Sequence, residues 1–497
     1  MSDPLLPSGP STDTIAVPGA AEPDHSRRNR LVIGLMLVAT FVVFLNETII
    51  GVAIPQVMVA LEIQESTAQW LSTAFMLTMA VVIPTTGFLM QRLSTRTVFI
   101  LAMSLFTAGT AIAAIAPGFE VLLAGRIVQA SGTAIMMPLL MTTVMTLVPP
   151  HERGKMMGNI SIVMSVAPAV GPAVGGLIVQ ALDWRFIFIL VLPIAVLALV
   201  LGAARVQNVS EPRKLPLDVL SVILSAFAFG GLIFGLSSLG ESAGGNELMP
   251  PAIPITVGLV ALGAFIARQL QLQRGDRAFL DLRTFQARGF AISVGLMVIT
   301  MGALFGTIII LPIYTQGVLG LEPAFSGLIL VPGSLLTGFA GPFVGRLYDR
   351  VGPRPLIVPG AVALSAALWG MTTYSETTSW VTVLLLHVLL SLGLAFMFTP
   401  LFTSSLGSLK PQLYTHGSAT IGTVQQLAGA AGTALLVALL TIGEASALAN
   451  GAGETVALAN GVHTAFMAGA IISLFAIAAA FFVPKPVNEL ASGMAAH

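Results

Sequence analysis

Long apolar runs recur along the whole chain, and they restrict its possible folds more than any other feature. Runs of roughly 17–25 residues, the length at which a helix crosses a bilayer, occur about fourteen times. Of the 497 residues, 56% are hydrophobic and 9% are charged, so this apolar surface cannot be buried in a water-soluble core. Because lipid offers the backbone no hydrogen-bond partners, only helices and closed barrels span it. The sequence therefore predicts an all-α membrane protein.

The predicted spans leave a polar segment at each end of the chain. Residues 1–30, rich in Pro and Ser, are predicted to be a disordered tail, and residues 485–497 form a second tail. The approximate cores of the spans are residues 31–57, 69–89, 98–116, 120–147, 156–180, 186–204, 218–239, 251–268, 290–314, 324–345, 356–374, 380–402, 418–441 and 461–483.

The distribution of basic residues predicts how the chain crosses the membrane. If the first tail is cytoplasmic, the inside loops and tails hold all but two of the 22 Lys and Arg residues. The exceptions are Arg126, inside span 4, and Arg185, just after span 5. Loops that face the cytoplasm carry an excess of Lys and Arg. The pattern predicts that both termini are cytoplasmic.

Two loops resemble each other. Residues 87–99, after span 2, read GFLMQRLSTRTVF, and residues 345–357, after span 10, read GRLYDRVGPRPLI. The matching positions are Gly87 with Gly345, Leu89 with Leu347, Arg92 with Arg350 and Arg96 with Arg354. This spacing predicts two six-helix bundles with an additional helix pair between them.

The predicted fold thus has two halves. The first bundle comprises residues 31–204 and the second residues 290–484, while residues 205–289 contain the inserted pair and its loops. Transporters built from parallel repeats of this kind hold their substrate near the membrane midplane, between the repeats.

Span 1 carries one carboxylate, Glu47, beside one amide, Asn46, in the run TFVVFLNETIIGVAIP. Burying a carboxylate in hydrocarbon costs several kcal/mol on most scales, and such groups usually line an ion or substrate route. Glu47 is therefore predicted to take up and release a proton while another molecule crosses the membrane.

Two further polar residues fall inside predicted spans. Arg126 needs partners there, and the candidates are Gln129, backbone carbonyls or Glu47; a purely structural arginine is the alternative. His387, in span 12, has a side chain that can titrate near neutral pH. A buried, neutral and hydrogen-bonded histidine is the favoured interpretation.

Several short motifs resemble those of the major facilitator superfamily, and in particular its fourteen-helix drug–proton antiporter branch with EmrB-, QacA- and lincomycin-efflux-type proteins. The resemblance covers residues 31–484. The motifs are LNETIIGVAIP (45–55), LLAGRIVQASG (122–132), APAVGPAVGG (167–176), WRFIFILVLPI (184–194), LPIYTQGVLG (311–320) and GRLYDRVGPRP (345–355).

The chain departs from the family pattern at several positions. Asn46 occupies the place of the usual span-1 aspartate, and the acid lies one residue later, at Glu47. Adjacent helical residues point about 100° apart, so Glu47 need not face what the family aspartate faces. Other departures are Gln91 for aspartate, Ser94 for glycine, Ala167 for glycine and Val191 for asparagine.

The resemblance implies a proton-coupled antiporter that exports amphiphilic small molecules by alternating access, in a bacterial cytoplasmic membrane. It implies proton coupling at Glu47 and Arg126. Residues proposed to bind substrate are Asn46, Gln129, Met136, Tyr314, Gln316, His387 and Phe396. The conformational loop motif comprises Gly87, Gln91, Arg92, Gly345, Asp349, Arg350 and Arg354.

Two expectations concern how the halves meet. Asp349 should face the positive N-terminal end of span 5, near Gly154, and latch the outward-facing state, whereas Gln91 lacks the charge for a matching latch against span 13. The antiporter motif comprises Pro168, Gly171, Pro172, Gly175 and Gly176. Its small residues permit close helix packing, and a sliding surface between the halves is the preferred interpretation.

Other functional classes find no support in the sequence. It has no Walker A motif, no clustered metal ligands and no cysteine, and its net charge is zero. We therefore expect no enzyme activity, cofactor, metal or nucleic acid, and a monomer in contact with lipid, protons and amphiphilic substrates. The alternatives are a translocator of lipids or cell-envelope precursors, and a non-transporting membrane sensor or assembly factor.

Overall fold

The computed structural model describes residues 26–208, 212, 216, 218–241 and 250–485, and all regular structure within them is helical. The predicted tails lie outside the described residues except for residues 26–30 and 485. The α-helices are α1 (Ser26–Leu61), α2 (Glu65–Arg92), α3 (Thr95–Ala114), α4 (Phe119–Leu147), α5 (Arg153–Ala181), α6 (Phe186–Arg205), α7 (Val219–Ser225), α8 (Gly231–Glu241), α9 (Ala252–Leu272), α10 (Arg288–Gly317), α11 (Pro323–Val351), α12 (Arg354–Met371), α13 (Trp380–Gly407), α14 (Tyr414–Ala449) and α15 (Glu454–Ala480).

These fifteen helices make fourteen candidate spans, because α7 and α8 are joined by a π-helical turn at Ala226–Gly230 and form one span. By length and composition, 14 helical segments of the described chain could cross a membrane. The predicted all-α fold with fourteen spans is confirmed.

Several helices extend beyond their predicted spans, and α1 and α14 do so by the most residues. Helix α1 begins at Ser26, so residues 26–30, predicted as part of the tail, are helical. Helix α14 has 36 residues, from Tyr414 to Ala449, against a predicted core of 418–441. At 1.5 Å per residue it is about 54 Å long, more than the ~30 Å hydrocarbon core needs. Apolar runs mark only the part of a helix that faces lipid, whereas the polar ends continue the same backbone pattern.

The two halves, α1–α6 and α10–α15, repeat the same close packing. In the first half a Cβ on Gly125 of α4 would lie 2.9 Å from the backbone nitrogen of Ala113 in α3. In the second half a Cβ on Gly393 of α13 would lie 2.6 Å from the backbone nitrogen of Leu364 in α12. Both are below the 3.0 Å that real Cβ atoms keep, so both helix pairs approach closely only because glycine stands there.

The halves contact each other on one side of the bundle, where α1 begins and α15 ends. We call this the basic side, and the opposite side the far side. The arginines that lie at the basic side include Arg92, Arg96, Arg350 and Arg354. Helix α5 packs on α11 and α2 packs on α14. Hydrogen bonds join Thr142 to Ser418 (2.7 Å) and Ser161 to Thr399 (2.8 Å), so the structure is closed on the basic side.

The inserted helix pair, α7–α8 and α9, packs outside the two halves against α2 and α14. Asp218 stands directly before α7 and accepts hydrogen bonds from Nε and Nη2 of Arg268 in α9, each at 3.1 Å. The hydrogen bond from Arg268 holds the pKa of the Asp218 carboxyl below its ordinary value. This ion pair ties the two members of the insertion to each other at the basic side.

Candidate functional site

Glu47 lies in the interior of α1 and is half-buried. Its Oε2 atom is buried and has no hydrogen-bond partner among the described residues. The four ion pairs formed by described residues do not include Glu47. A membrane-embedded carboxylate with an unpaired oxygen is able to accept a proton or a donor group.

Arg126, in the first half of α4, is 1% exposed and lies near Glu47, with which it interacts electrostatically. Its Nη1 donates to Oε1 of Gln129 at 2.6 Å and to Oδ1 of Asn46 at 3.4 Å. Its Cζ lies 4.1 Å from the centre of the Phe75 ring, a cation–π contact. Gln129 is therefore a hydrogen-bond partner of Arg126, as predicted, and Asn46 is a second partner.

A polar network continues from Arg126 into α3. Nε2 of Gln129 donates to Oγ1 of Thr110 at 2.8 Å, and Thr110 donates to the carbonyl of Phe106 at 2.7 Å. The contact depends on the close approach of α3 and α4, since a Cβ on Gly109 would overlap the backbone of Gln129. Sequence reasoning missed Thr110 and Phe75, because neither lies in a recognisable motif; the glycine beside Thr110 is the only signal.

Three polar atoms of this site remain unpaired within the described chain. They are the donor Nδ2 of Asn46, the acceptor Oε2 of Glu47 and the donor Nε of Arg126, all buried. An unsatisfied buried polar group costs about 1–3 kcal/mol, and such atoms call for a functional explanation. The site therefore offers two donors and one acceptor to a proton, water or bound molecule.

Most of the other residues proposed to bind substrate lie elsewhere. Tyr314 is fully buried near the far end of α10, where its hydroxyl donates to the carbonyl of Ser375 at 2.6 Å and its ring stacks on Tyr374. Gln316 is exposed at the same end of the helix. Met136 is buried in the core, and Phe396 packs on the cluster around Tyr348. The structure thus brings only Asn46 and Gln129 of the seven proposed residues next to Glu47 and Arg126.

His387 is buried between α13 and α11. It is 3% exposed, and its Nε2 lies 3.2 Å from the carbonyl oxygen of Leu330, to which it donates. Its Nδ1 is buried without a partner in the described chain. This geometry agrees with a neutral, hydrogen-bonded histidine inside the second half and does not bring His387 to Glu47.

The last turn of α11 makes the expected contact between the halves. Asp349 is half-buried, and its two carboxylate oxygens accept backbone N–H groups of Gly154 at 2.7 Å and Lys155 at 2.9 Å. These N–H groups belong to the first turn of α5, where the helix offers unpaired donors and partial positive charge.

The corresponding last turn of α2 in the first half also contacts the second half, although its residue is an amide. The side chain of Gln91 touches Nε2 of His416 and lies 3.4 Å from Oγ1 of Thr415, both in the first turn of α14. Gln91 and Asp349 therefore occupy equivalent positions in the two repeats, but only Asp349 brings a charge to the opposing helix.

In this structure the antiporter motif of α5 packs within its own half, and its role as a sliding surface between the halves stays a prediction. A Cβ on Gly171 would overlap Thr48, and one on Gly175 would lie 2.9 Å from Ile49, both in α1 of the same half. The contact with α11 is made by an earlier part of α5. A Cβ on Gly158 would overlap the carbonyl oxygen of Gly341.

Replacing Asp349 by asparagine should weaken closure of the basic side. Asparagine keeps one acceptor, but its NH2 group would face a backbone N–H. A loss of about 1–2 kcal/mol would change the ratio of closed to open molecules roughly 5- to 30-fold. Since the chain has no cysteine, spin labels can be introduced by substitution at Arg96 and Lys410, exposed on the basic side of the two halves. Longer distances in Asp349→Asn are the expected result; Glu376→Gln, in an exposed far-side loop, serves as control.

Two helical halves that contact each other at one side of the bundle, with a charged site within the membrane-spanning part of one half, are the architecture of a secondary transporter. The sequence profile of the Major Facilitator Superfamily matches residues 36–433. The chain belongs to this superfamily of transporters, as its motifs predicted.

Its relatives include transporters named for drug resistance. The lincomycin resistance protein LmrB of Bacillus subtilis is 39% identical over 456 residues, which cover 90% of this chain and 95% of that protein. The uncharacterized MFS-type transporter YcnB of the same organism is 38% identical over 456 residues (92% and 95%). A multidrug resistance protein B homolog of Mycobacterium tuberculosis is 29% identical over 412 residues (82% and 75%).

Solved structures agree in fold. The proton:xylose symporter XylE has a TM-score of 0.63 at 15% identity, covering 94% of this chain and 99% of that one. The human organic anion transporter MFSD10 has a TM-score of 0.61 at 16% identity, covering 91% and 99%. At such low identity the likeness concerns the fold alone.

Proposed function

We propose that this protein is a proton-coupled antiporter that exports amphiphilic small molecules across a bacterial cytoplasmic membrane, with both termini inside. The observation that carries the proposal is Glu47, a carboxylate within the membrane whose Oε2 has no partner in the described chain. The similarity to proteins named for lincomycin and multidrug resistance supports a drug-like cargo.

The site suggests how proton and cargo compete. When Glu47 is ionised, Arg126 compensates its charge, and the donors of Asn46 and Arg126 remain available. When Glu47 takes up a proton, the charge of Arg126 is no longer balanced and the carboxyl becomes a donor. The ionised site thus favours cargo, and the protonated site favours its release.

The conformation fits the order of these steps. The basic side, which we place in the cytoplasm, is closed by α5 with α11 and α2 with α14. Arg126 lies seven residues after the start of α4 at Phe119, on the far side of the helix midpoint. Glu47 would therefore be protonated from outside in this state and would lose the proton after the basic side opens.

The main alternative is a translocator of lipids or cell-envelope precursors with little proton coupling. Purified protein in proteoliposomes with an interior pH indicator separates the two functions. Proton movement that begins on addition of a lincosamide or a lipophilic dye, and opposes the movement of that compound, is the expected result. Lipid exchange without drug-dependent proton movement would instead establish the alternative.

The charge of the site predicts which cargo is preferred. Glu47 is the carboxylate that lies farthest from a helix end within the described spans, so the site offers a cation one countercharge. A dication would leave a charge without a partner, at a cost of several kcal/mol. Neutral, zwitterionic or singly cationic compounds should therefore be exported best.

Susceptibility of cells that express the protein checks this preference. Matched pairs of monocationic and dicationic compounds with similar apolar groups are compared at equal expression. Resistance confined to bulky dications would show that another acidic site binds the cargo.

A further inference from the structure

The linker between the inserted helix pair and the second half, residues 276–287, is held in place by a buried glutamine. Gln269 of α9 is fully buried, and its Nε2 donates to Oγ of Ser221 in α7 at 2.7 Å. Its Oε1 accepts the backbone N–H groups of Phe279 at 2.8 Å and Leu280 at 3.1 Å. The middle of the linker is thereby fastened to the insertion.

The same part of the linker packs on the first half. Phe279 is 1% exposed, and its ring stacks on Phe88 of α2 with 6.1 Å between centroids. On its other side it meets the edge of Phe265 in α9 at 6.4 Å. These rings belong to one buried cluster that also contains Ala419 of α14. Aromatic pairs of this kind contribute roughly 0.5–1.5 kcal/mol beyond their burial.

Two residues later the linker binds the second half. The backbone N–H of Asp281 donates to Nδ1 of His416 in α14 at 3.3 Å. Because Nδ1 accepts, Nε2 carries the ring proton, and this nitrogen touches the side-chain amide group of Gln91. His416 is 4% exposed and thus bridges the linker to α2.

The linker is rigid at this point. The Asp281 carboxylate accepts from the backbone N–H of Arg283 at 2.9 Å and from its guanidinium at 2.6–3.0 Å, and Arg283 also pairs with Asp276 at 2.6 Å. Burial alone would raise the pKa of the Asp281 carboxyl, but the hydrogen bonds from Arg283 outweigh it and leave that pKa below its ordinary value. Asp281 is therefore ionised and firmly placed.

We propose that the linker is a clamp that holds the basic side closed by joining α2 to α14 through Phe279 and Asp281. Opening the basic side separates α2 from α14. The contact with α2 and the contact with α14 cannot both survive that movement. Only one residue separates Phe279 from Asp281, and α10 begins soon after, at Arg288. Gln91 is an amide where the repeat has the charged Asp349, so it stabilises the closed state less, and the clamp adds stabilisation there. The clamp also couples the inserted helices to the transport cycle.

The test compares two phenylalanines of the linker. Phe279→Ala removes the contact with α2, whereas Phe285→Ala removes a ring that is 41% exposed and meets Phe290 of α10, in the second half itself. Distances between spin labels at Arg96 and Lys410 are measured in each. In Phe279→Ala we expect at least a roughly fivefold larger open population, which corresponds to about 1 kcal/mol. In Phe285→Ala we expect no change in the open population.

Either of two results would overturn the clamp: unchanged distances in Phe279→Ala, or an equal shift in both variants. If Phe279→Ala does not fold, Phe279→Leu keeps apolar volume and removes the ring contacts, and the same two outcomes apply to it. The measurement needs neither cargo nor a proton gradient, so its result is independent of the proposed transport activity.

Discussion

Glu47→Gln is expected to abolish proton-driven export while leaving the protein folded and with some cargo binding intact. Glutamine keeps the shape of a carboxyl group, with one acceptor oxygen and an NH2 donor, but cannot titrate. Export driven by a pH gradient should fall at least about tenfold, the effect of roughly 1.4 kcal/mol on the rate-limiting barrier. Drug accumulation in inverted membrane vesicles with an imposed gradient measures it directly.

Conservative variants separate titration from structure at this position. Glu47→Asp retains a titratable group and should keep part of the gradient-driven export, while Glu376→Gln, in an exposed loop, should keep all of it. Undiminished export by Glu47→Gln at normal expression would show that the proton is carried elsewhere. Cargo binding by detergent-solubilised Glu47→Gln, followed by fluorescence, distinguishes lost coupling from lost folding.

Gly341→Ala should prevent closure of the basic side and thereby stop transport. The added Cβ would lie 2.7 Å from the carbonyl oxygen of Gly158 and 2.8 Å from Cβ of Ser161, both in α5. Backbone on the opposing helix cannot yield as a flexible side chain can, so α5 and α11 must separate. We expect a loss of roughly tenfold or more in export, and longer distances between labels at Arg96 and Lys410.

A matched substitution on the same helix controls for helix propensity. Gly327, also in α11, has nothing within 4 Å of an added Cβ. Gly327→Ala should leave export and distances unchanged, or raise stability slightly, because alanine is the better helix former by up to about 1 kcal/mol. Equal losses in Gly341→Ala and Gly327→Ala would contradict a role for the α5–α11 contact in closure.

The contact between loop and opposite helix could be predicted, because it depends on local features. The repeat pairs Gly87 with Gly345 and Gln91 with Asp349, and a helix N-terminus attracts a carboxylate wherever one is near. In the structure Asp349 contacts the first turn of α5 and Gln91 contacts the first turn of α14, as expected. Which helix the antiporter motif contacts could not be predicted. Gly171 and Gly158 both give α5 a small face, and only the packing of the helices decides that one contacts α1 and the other α11.

The composition of the site could be predicted only in part. The cost of burying charge identified Glu47 and Arg126 as the residues that need partners. It did not identify Phe75, in α2, which packs on Arg126, or Thr110, which reaches Gln129 only because glycines allow α3 and α4 to approach closely. Tyr314 and His387 are polar or aromatic residues in apolar spans, but each donates to a backbone carbonyl of another segment, Tyr314 to Ser375 and His387 to Leu330.

The fourteen spans, the repeated halves and the membrane-embedded carboxylate could be predicted from the sequence, because the burial of apolar surface depends on the length and composition of each run and requires no particular partner. The residues around Glu47 and Arg126, the glycines at the contact between the halves and the contacts of the linker became known only from the folded structure. These depend on the rotation of each helix about its axis and on contacts within a few ångströms, and hydrogen bonds and close packing are directional at that distance.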